Sequence, residues 1–585
     1  MIKKNLIATG IVFCVISQIV WAASVDPVFV DSPLTIHNES APRASRDFAT
    51  RLHLDISKLD LASDQQFVFI EDFPLDKNRR VTLQLEEASA IEHDATFVVM
   101  RNDKRGRLVE EELQWPKCFV FRGTVVGEPT SDVFLAIGEE IANGWISIDG
   151  TRFIIGTRYA DRMTLLYDEA NVPEGMIKWS KYECGVKSSA EDLYSDESSE
   201  RSNRIPDECP QAQIAIDTDS EFTIDLFGGS ETAAADYVNT LVSAVSDIYK
   251  GAITVGGQGV RLKVVYLRLW SVSDDPWTGT NTDTALAEFS DYWRTNMGDV
   301  ERHLAHNLSG RNLGGGIANL FGLCNDGYAV SGGLAGTFPM PLEGEQAGNW
   351  DPIVFAHETG HNFGMIHTHE MEEPPDGCGN GDCASASGAT IMSYCHLCDG
   401  GVANIAFEFH DDNVDSAEAW LTTVAGGENC NMWPNDPPLL EDDRAFTDMN
   451  TPVAIHVLDN DVSNSCNNMS LVTFDQRARR GGTVTQSAYE ELTYTPTGTF
   501  SGTDSFTYTA SNGSYSDTAN VVIEITRPPP GGGGTDPIDP NDVIFVITLW
   551  GTRSADCTGD GTTNIDDLLA VLEGRAKPDR RLGGK

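Results

Sequence analysis

Residues 351–367 read Asp-Pro-Ile-Val-Phe-Ala-His-Glu-Thr-Gly-His-Asn-Phe-Gly-Met-Ile-His, and this stretch constrains the chain more than any other. Asp351 is a good N-cap and Pro352 suits the first helical position, so a helix is expected to begin here and to run through the first two histidines. On that helix His357 and His361 lie one turn apart on one face, the spacing that two imidazoles need to reach one zinc ion. Glu358 is rotated about 100° around the axis from His357. It is not needed as a ligand and can hold and deprotonate an attacking water. Gly364 can take a positive φ and turn the chain back, so that His367 becomes the third ligand. Three neutral imidazoles leave the ion its full charge and a fourth position open, the pattern of a catalytic rather than a structural site.

The complete HExxHxxGxxH pattern resembles the metzincin metallopeptidases, whose further mark is a methionine turn downstream. Ala389-Thr-Ile-Met-Ser-Tyr394 supplies Met392 for that role. The run from His357 to His367 is most similar to the reprolysin or adamalysin branch, and the resemblance covers residues 207–432. It implies a zinc endopeptidase with an α/β (α+β) catalytic domain, protein or peptide substrates, and a disulfide from Cys324 to Cys430. One departure is Tyr394, a position where astacin-like and serralysin-like enzymes carry a tyrosine near the zinc and typical reprolysins do not. Its phenol would bind the metal or donate to an oxyanion; packing beneath the site is the alternative.

The surrounding pattern supports a domain around the motif. Residues 213–216 and 262–269 read as strands, and 232–249 as a helix with Tyr237, Leu241, Val245 and Ile248 on one side. A second helix is expected over 284–296, with Leu286, Phe289 and Trp293 aligned. The glycine-rich stretch 312–324 is expected to hold an edge strand that pairs with an extended peptide. His303 and His306 belong to no ligand motif and are read as surface or strand residues. Cys378, Cys383, Cys395 and Cys398 have spacings that suit a structural zinc, but in an exported protein two disulfides are expected, with the pairing open.

Export is read from residues 1–23, where Lys3 and Lys4 precede an apolar stretch over 6–20 and a small-residue cleavage pattern at Val20-Trp-Ala22. No later run is long enough to cross a bilayer, so a secreted, extracellular or cell-surface protein is expected. With 88 acidic against 41 basic residues the formal charge is −47. That excludes electrostatic nucleic-acid binding, since little here could replace counterions on a phosphate backbone. The 585 residues suggest about three to five domains.

Residues 24–205 carry strand-like stretches at 81–85, 97–100, 119–126, 133–137 and 145–148, and end in an acidic, serine-rich linker over 188–202. Phe121-Arg-Gly-Thr-Val125 followed by Ser131-Asp-Val-Phe-Leu135 resembles the propeptide of reprolysin-like enzymes. Lys181-Tyr-Glu-Cys-Gly-Val186 resembles its cysteine-switch segment, which implies Cys184 as a thiolate in the open zinc position, a latent precursor, and cleavage near Arg201 or Arg204. A disulfide from Cys184 to Cys118 or Cys209 is the competing expectation. The catalytic domain is placed at 206–432.

After a linker at 433–443, residues 444–526 alternate as short strands and resemble bacterial cadherin-like or immunoglobulin-like β-sandwiches, with His456 a strand residue. A Pro/Gly linker at 527–541 leads to a small EF-hand-like module at 542–585. There Asp556, Thr558, Asp560, Thr562, Asn564 and Asp567 stand at calcium-loop positions. The loop resembles half of a dockerin; Asp567 replaces the usual longer glutamate, which implies weak binding, and an acidic helix-capping turn without metal is the alternative. These C-terminal parts are expected to meet a cell-surface or matrix partner. A different class of function, a surface adhesion protein with a non-turning-over metal domain, is the rival reading, against which the retained Glu358 argues.

Overall fold

The computed structural model describes residues 28–37, 48–62, 67–158, 162–172, 184–186, 210–255, 257–338, 350–425, 430–433, 437–458, 460–461, 463, 469–486, 491–512 and 515–527. The expected signal segment, the linker over 188–202, residues 528–541 of the second expected linker, Arg201, Arg204, Cys209 and the candidate calcium loop lie outside them. Among the described residues, no helix is long and apolar enough to cross a membrane. The chain forms two compact units, one ending at Asp436 and one beginning at Pro437.

In the first unit, a ten-stranded sheet is built wholly from the N-terminal region and is mostly antiparallel. Its spatial order runs Val28–Asp31, Phe67–Pro74, Arg80–Glu87, Cys118–Val125, Glu128–Gly138, Ala142–Ile148, Thr151–Arg158, Met163–Asp168, Ala49–Leu54 and Leu34–Ile36. Alternating apolar residues such as Val133, Leu135 and Ile137 face a core of their own, as period-two strands require.

The second sheet has seven strands, in the order Gly316–Ala318, Tyr328–Ser331, Leu304–Leu308, Gln211–Thr218, Arg261–Trp270, Ile91–Asn102 and Leu108–Leu113. Gly316–Ala318 is antiparallel to its neighbour at one edge, and the inner strands are parallel. The last two strands come from the N-terminal region, so the strand expected at 97–100 belongs to the sheet of the 206–432 segment and not to the N-terminal one. Local alternation gave no means of telling the two apart, because it fixes a face and not a neighbour.

Among the described residues, four α-helices accompany this sheet. Helix α1 (Glu231–Ala252) starts at Ser230, whose hydroxyl accepts from the Ala233 amide. It is buried on the expected stripe and also on a second face that includes Val238 and Val242. Helix α2 (Thr282–Asn296) opens with a capping box between Asn281 and Thr284. Helix α3 (Trp350–Asn362) carries the first two motif histidines, and α4 (Asp411–Val424) closes the domain. The expectation that Asp351 caps α3 is corrected. The helix begins at Trp350, and the Asp351 carboxylate instead accepts from the Tyr237 hydroxyl at 2.7 Å and from the amides of Ala335 and Gly336 at 2.9 Å each. Fully buried under α1, that carboxylate has more to gain from these donors than from a helix end that starts one residue earlier.

Disulfides join Cys324 to Cys430, as the resemblance implied, Cys378 to Cys395, and Cys383 to Cys398. Cys118 and Cys184 are free thiols, which removes a disulfide between them. The second unit pairs a four-stranded sheet (Asp443–Asp448, Ser516–Thr526, Gly502–Ser511, Ser470–Phe474) with a three-stranded one (Val453–His456, Glu491–Thr495, Thr483–Gln486) around Tyr494, Tyr508 and Val521. His456 lies on a strand, 3.6 Å from Glu491, as a bland strand residue would.

One polar cluster pins α2 to the sheet. Asp217, fully buried, receives the Arg268 guanidinium and the indole N–H groups of Trp270 (3.2 Å) and Trp293 (2.9 Å). Removing one member of a buried pair strands the other charge, at a cost of about 3–5 kcal/mol. Asp217→Ala is therefore expected to lower the urea or thermal midpoint by that order, and an unchanged midpoint would show that water reaches Arg268.

Candidate metal centre

Helix α3 runs to Asn362, so His357 and His361 stand one turn apart with ring centroids 4.8 Å from each other. Gly364 follows with φ +88°, a conformation other residues adopt only with strain, and the chain doubles back to bring the His367 ring within 4.7 Å of His361 and 5.2 Å of His357. All three are buried.

Each ring is held from behind. Nδ1 of His357 lies 2.8 Å from the Ile391 carbonyl, Nδ1 of His361 2.7 Å from the Met365 carbonyl, and Nδ1 of His367 2.9 Å from Glu370 Oε2. These acceptors hold a proton on Nδ1 and leave Nε2 with a free lone pair, the arrangement that outer contacts of metal-binding histidines provide. Nε2 of His357 and of His367 are buried with no hydrogen-bond partner. Burial holds the His357 and His361 imidazoles well below their ordinary range, hence neutral. Buried, partnerless Nε2 atoms on adjoining rings are costly unless a cation sits among them, so this donor set fits zinc.

A cysteine 173 residues before His357 (357 − 184) lies beside the three rings. Cys184 Sγ is 3.4 Å from His361 Nε2 and 3.5 Å from Glu358 Oε2, and the ligating atoms of Cys184, His357, His361 and His367 all lie within 4.8 Å of one another. Burial first, and the Glu358 charge second, push this thiol well above its ordinary range, so a thiolate here requires a cation to offset both. The segment is docked by main chain too: the Gly185 amide donates to the Gly316 carbonyl at 2.8 Å, on the sheet's edge strand.

Glu358 is buried beside the same strand, where a Cβ on Gly316 would lie 2.4 Å from its Oε1. Burial pushes its carboxyl well above the carboxylate range. Met392 is fully buried against α3, with its sulfur 2.8 Å from where a Cβ of Gly360 would stand, and its carbonyl accepts from the Thr368 amide. The Tyr394 ring packs on His367 with centroids 4.6 Å apart, and its hydroxyl donates to the Cys184 carbonyl at 2.7 Å.

His303 and His306 are not gathered here, and neither is on the surface. His303 Nδ1 accepts from the Gln213 amide, and His306 bridges Ser331 and Thr359 beneath Phe355. Glu370 and the carbonyls of Ile391 and Met365 escaped the sequence reading. Glu370 stands three residues after His367, a spacing that could have drawn attention to it; the two carbonyls have no side-chain signature at all.

Comparison with known proteins agrees with this geometry. Residues 210–401 match the family model for Metallo-peptidase family M12, and residues 435–524 that for a bacterial Ig domain. The chain thus contains an M12-family metallopeptidase domain followed by an Ig-like β-rich domain. Among solved structures, a chaperone–substrate complex overlaps 34% of this chain at 14% identity and TM-score 0.22. An endo-fucoidan hydrolase of glycoside hydrolase family 107 overlaps 18% at 18% identity and TM-score 0.13. This chain spans 29% and 15% of those two chains.

Metal content separates the two groups of histidines. His361→Ala is expected to purify with far less than one zinc per chain, while His303→Ala keeps wild-type zinc by elemental analysis. Equal zinc in both variants would move the metal away from the triad.

Proposed function

We propose that this protein is a secreted zinc endopeptidase acting on extracellular proteins and made as a latent precursor. The observation that supports the reading best is the convergence of three Nε2 atoms beside a buried Glu358, within the segment that matches family M12. His357, His361 and His367 would hold the ion. When bound, zinc supplies a Lewis acid that polarises the scissile carbonyl.

The chain's own groups do the rest. A substrate in extended form would pair its main chain with Gly316–Ala318, the edge on which Gly185 already bonds. Glu358 would take a proton from the attacking water and pass it to the leaving amine, so that one C–N bond is exchanged for a C–O bond and the proton count closes. Burial favours this role, because a carboxylate with a raised pKa is a stronger base. Tyr394, freed of the Cys184 carbonyl, would have its hydroxyl available to the oxyanion.

In the precursor, Cys184 would occupy the place that the attacking water needs, with Glu358 turned to the sulfur. The Ig-like match is compatible with an extracellular or surface setting and would carry the enzyme to a cell-surface or matrix partner, aided by calcium at Asp556 to Asp567. It also gives the adhesion reading its one foothold.

Glu358→Gln is expected to keep its zinc and to lose about 10²- to 10⁴-fold in turnover, the scale of a positioned general base. Near wild-type cleavage of a peptide library by this variant contradicts the mechanism, and absence of cleavage by the wild-type mature form would favour adhesion. For latency, Cys184→Ala should make the uncut precursor active on the same library, whereas a silent uncut variant would deny the sulfur its blocking role.

A further inference from the structure

The N-terminal region is joined to the M12 domain by more than the Cys184 segment. Ile91–Asn102 lies parallel to Arg261–Trp270, with Thr96 opposite Tyr266, Phe97 opposite Leu267 and Met100 opposite Trp270. Its side chains enter both cores of the M12 domain. Phe97 and Val99 belong, with Val120, Phe134 and Ile141, to the cluster around α1 that includes Val238 and Val242, while Val98 packs in the cluster of Tyr266 and Trp293 on the opposite face.

Sequence chemistry marks which strand is built as an edge. Arg261–Trp270 is buried on both faces, with Leu262, Val264, Leu267 and Leu269 in one cluster and Tyr266 in the other beside the Asp217-paired Arg268, as an interior parallel strand is, and an open side would leave a row of unpaired amides and carbonyls. Leu108-Val-Glu-Glu-Glu-Leu113, the strand that does end the sheet, presents three consecutive glutamates, the charged guard that protects a true edge. Polar contacts follow the same seam. Arg101 pairs with Glu231 at 2.6 Å, Arg122 with Asp247, and the Ser230 hydroxyl donates to Glu140 at 2.8 Å. The Ala90 amide donates to the Ser243 hydroxyl at 2.8 Å. One group opposes the docking: Asp236 on α1 is buried against Gly138, beside Glu139 and Glu140.

We propose that residues 28–172 are a permanent noncovalent subunit of the M12 domain, supplying the sixth and seventh strands of its sheet, and that they stay bound when the chain is cut between residues 187 and 209. Their partner is this chain's own α1 and Arg261–Trp270. Cys184 lies on the N-terminal side of such a cut. On the latency reading given above, one cut therefore leaves the thiol tethered beside the triad, and a further event must dislodge it.

The test uses the full chain with a specific protease site replacing residues 201–204. After complete cutting, shown by two bands on a denaturing non-reducing gel, the material is run on gel filtration at about 0.15 M salt, where ion pairs alone would be largely screened. Both fragments are expected in one peak at the elution volume of the uncut chain, with amide exchange of Arg261–Trp270 within twofold of the uncut value. Two separate peaks overturn the proposal, as does a single peak in which the exchange of those amides rises by orders of magnitude. Peptide cleavage by the cut complex is read independently: an active, undissociated complex supports the subunit and contradicts only the latency role of Cys184.

Discussion

Three Nδ1 atoms bonded from behind are the constraint on which the centre depends. A histidine ring offers its Nε2 lone pair to a cation only if the proton is kept on the other nitrogen, and here the carbonyls of Ile391 and Met365 and the carboxylate of Glu370 keep it there. The Ile391 carbonyl belongs to the turn that carries Met392, and Met365 to the reversal permitted by Gly364. The methionine turn and the glycine turn therefore do one job, holding ring orientation from two sides of α3.

The same economy explains why the N-terminal region and the M12 domain are hard to separate. Helix α1 is buried on two faces, one against the sheet and one against the N-terminal strands, so its side chains are committed to both regions. From that shared body the short segment Cys184–Gly185–Val186 reaches the edge strand, and Val186 packs into the cluster behind it. Docking through a common core lets one thiol be placed within ångströms of three rings with little further loss of chain entropy.

Much of this was legible in the residues. HExxHxxGxxH named the three rings and Glu358, because a helical period and a glycine leave few other ways to arrange them. Helical periodicity found α1 and α2 to within a few residues, and alternation found four of the ten strands of the first sheet (81–85, 119–126, 133–137 and 145–148) and three of the seven of the second (97–100, 213–216 and 262–269). What it could not give was partnership. Nothing in 97–100 says that its neighbour is Arg261–Trp270, since pairing depends on chain segments 170 residues apart (267 − 97). Nor could spacing choose among the pairings of Cys378, Cys383, Cys395 and Cys398, where three connectivities fit equally and the fold selects one. Asp351 misled for a related reason: a capping residue is a local preference, and a buried carboxylate answers to whatever donors the tertiary fold brings.

X-ray absorption at the zinc edge of the intact, uncut chain tests the central claim most directly, because scattering separates sulfur from nitrogen neighbours. The account predicts one zinc per chain with three nitrogen neighbours at about 2.0–2.1 Å and one sulfur at about 2.3 Å. A zinc with only nitrogen and oxygen neighbours would contradict the place given to Cys184, and a chain that binds no zinc would contradict the centre itself.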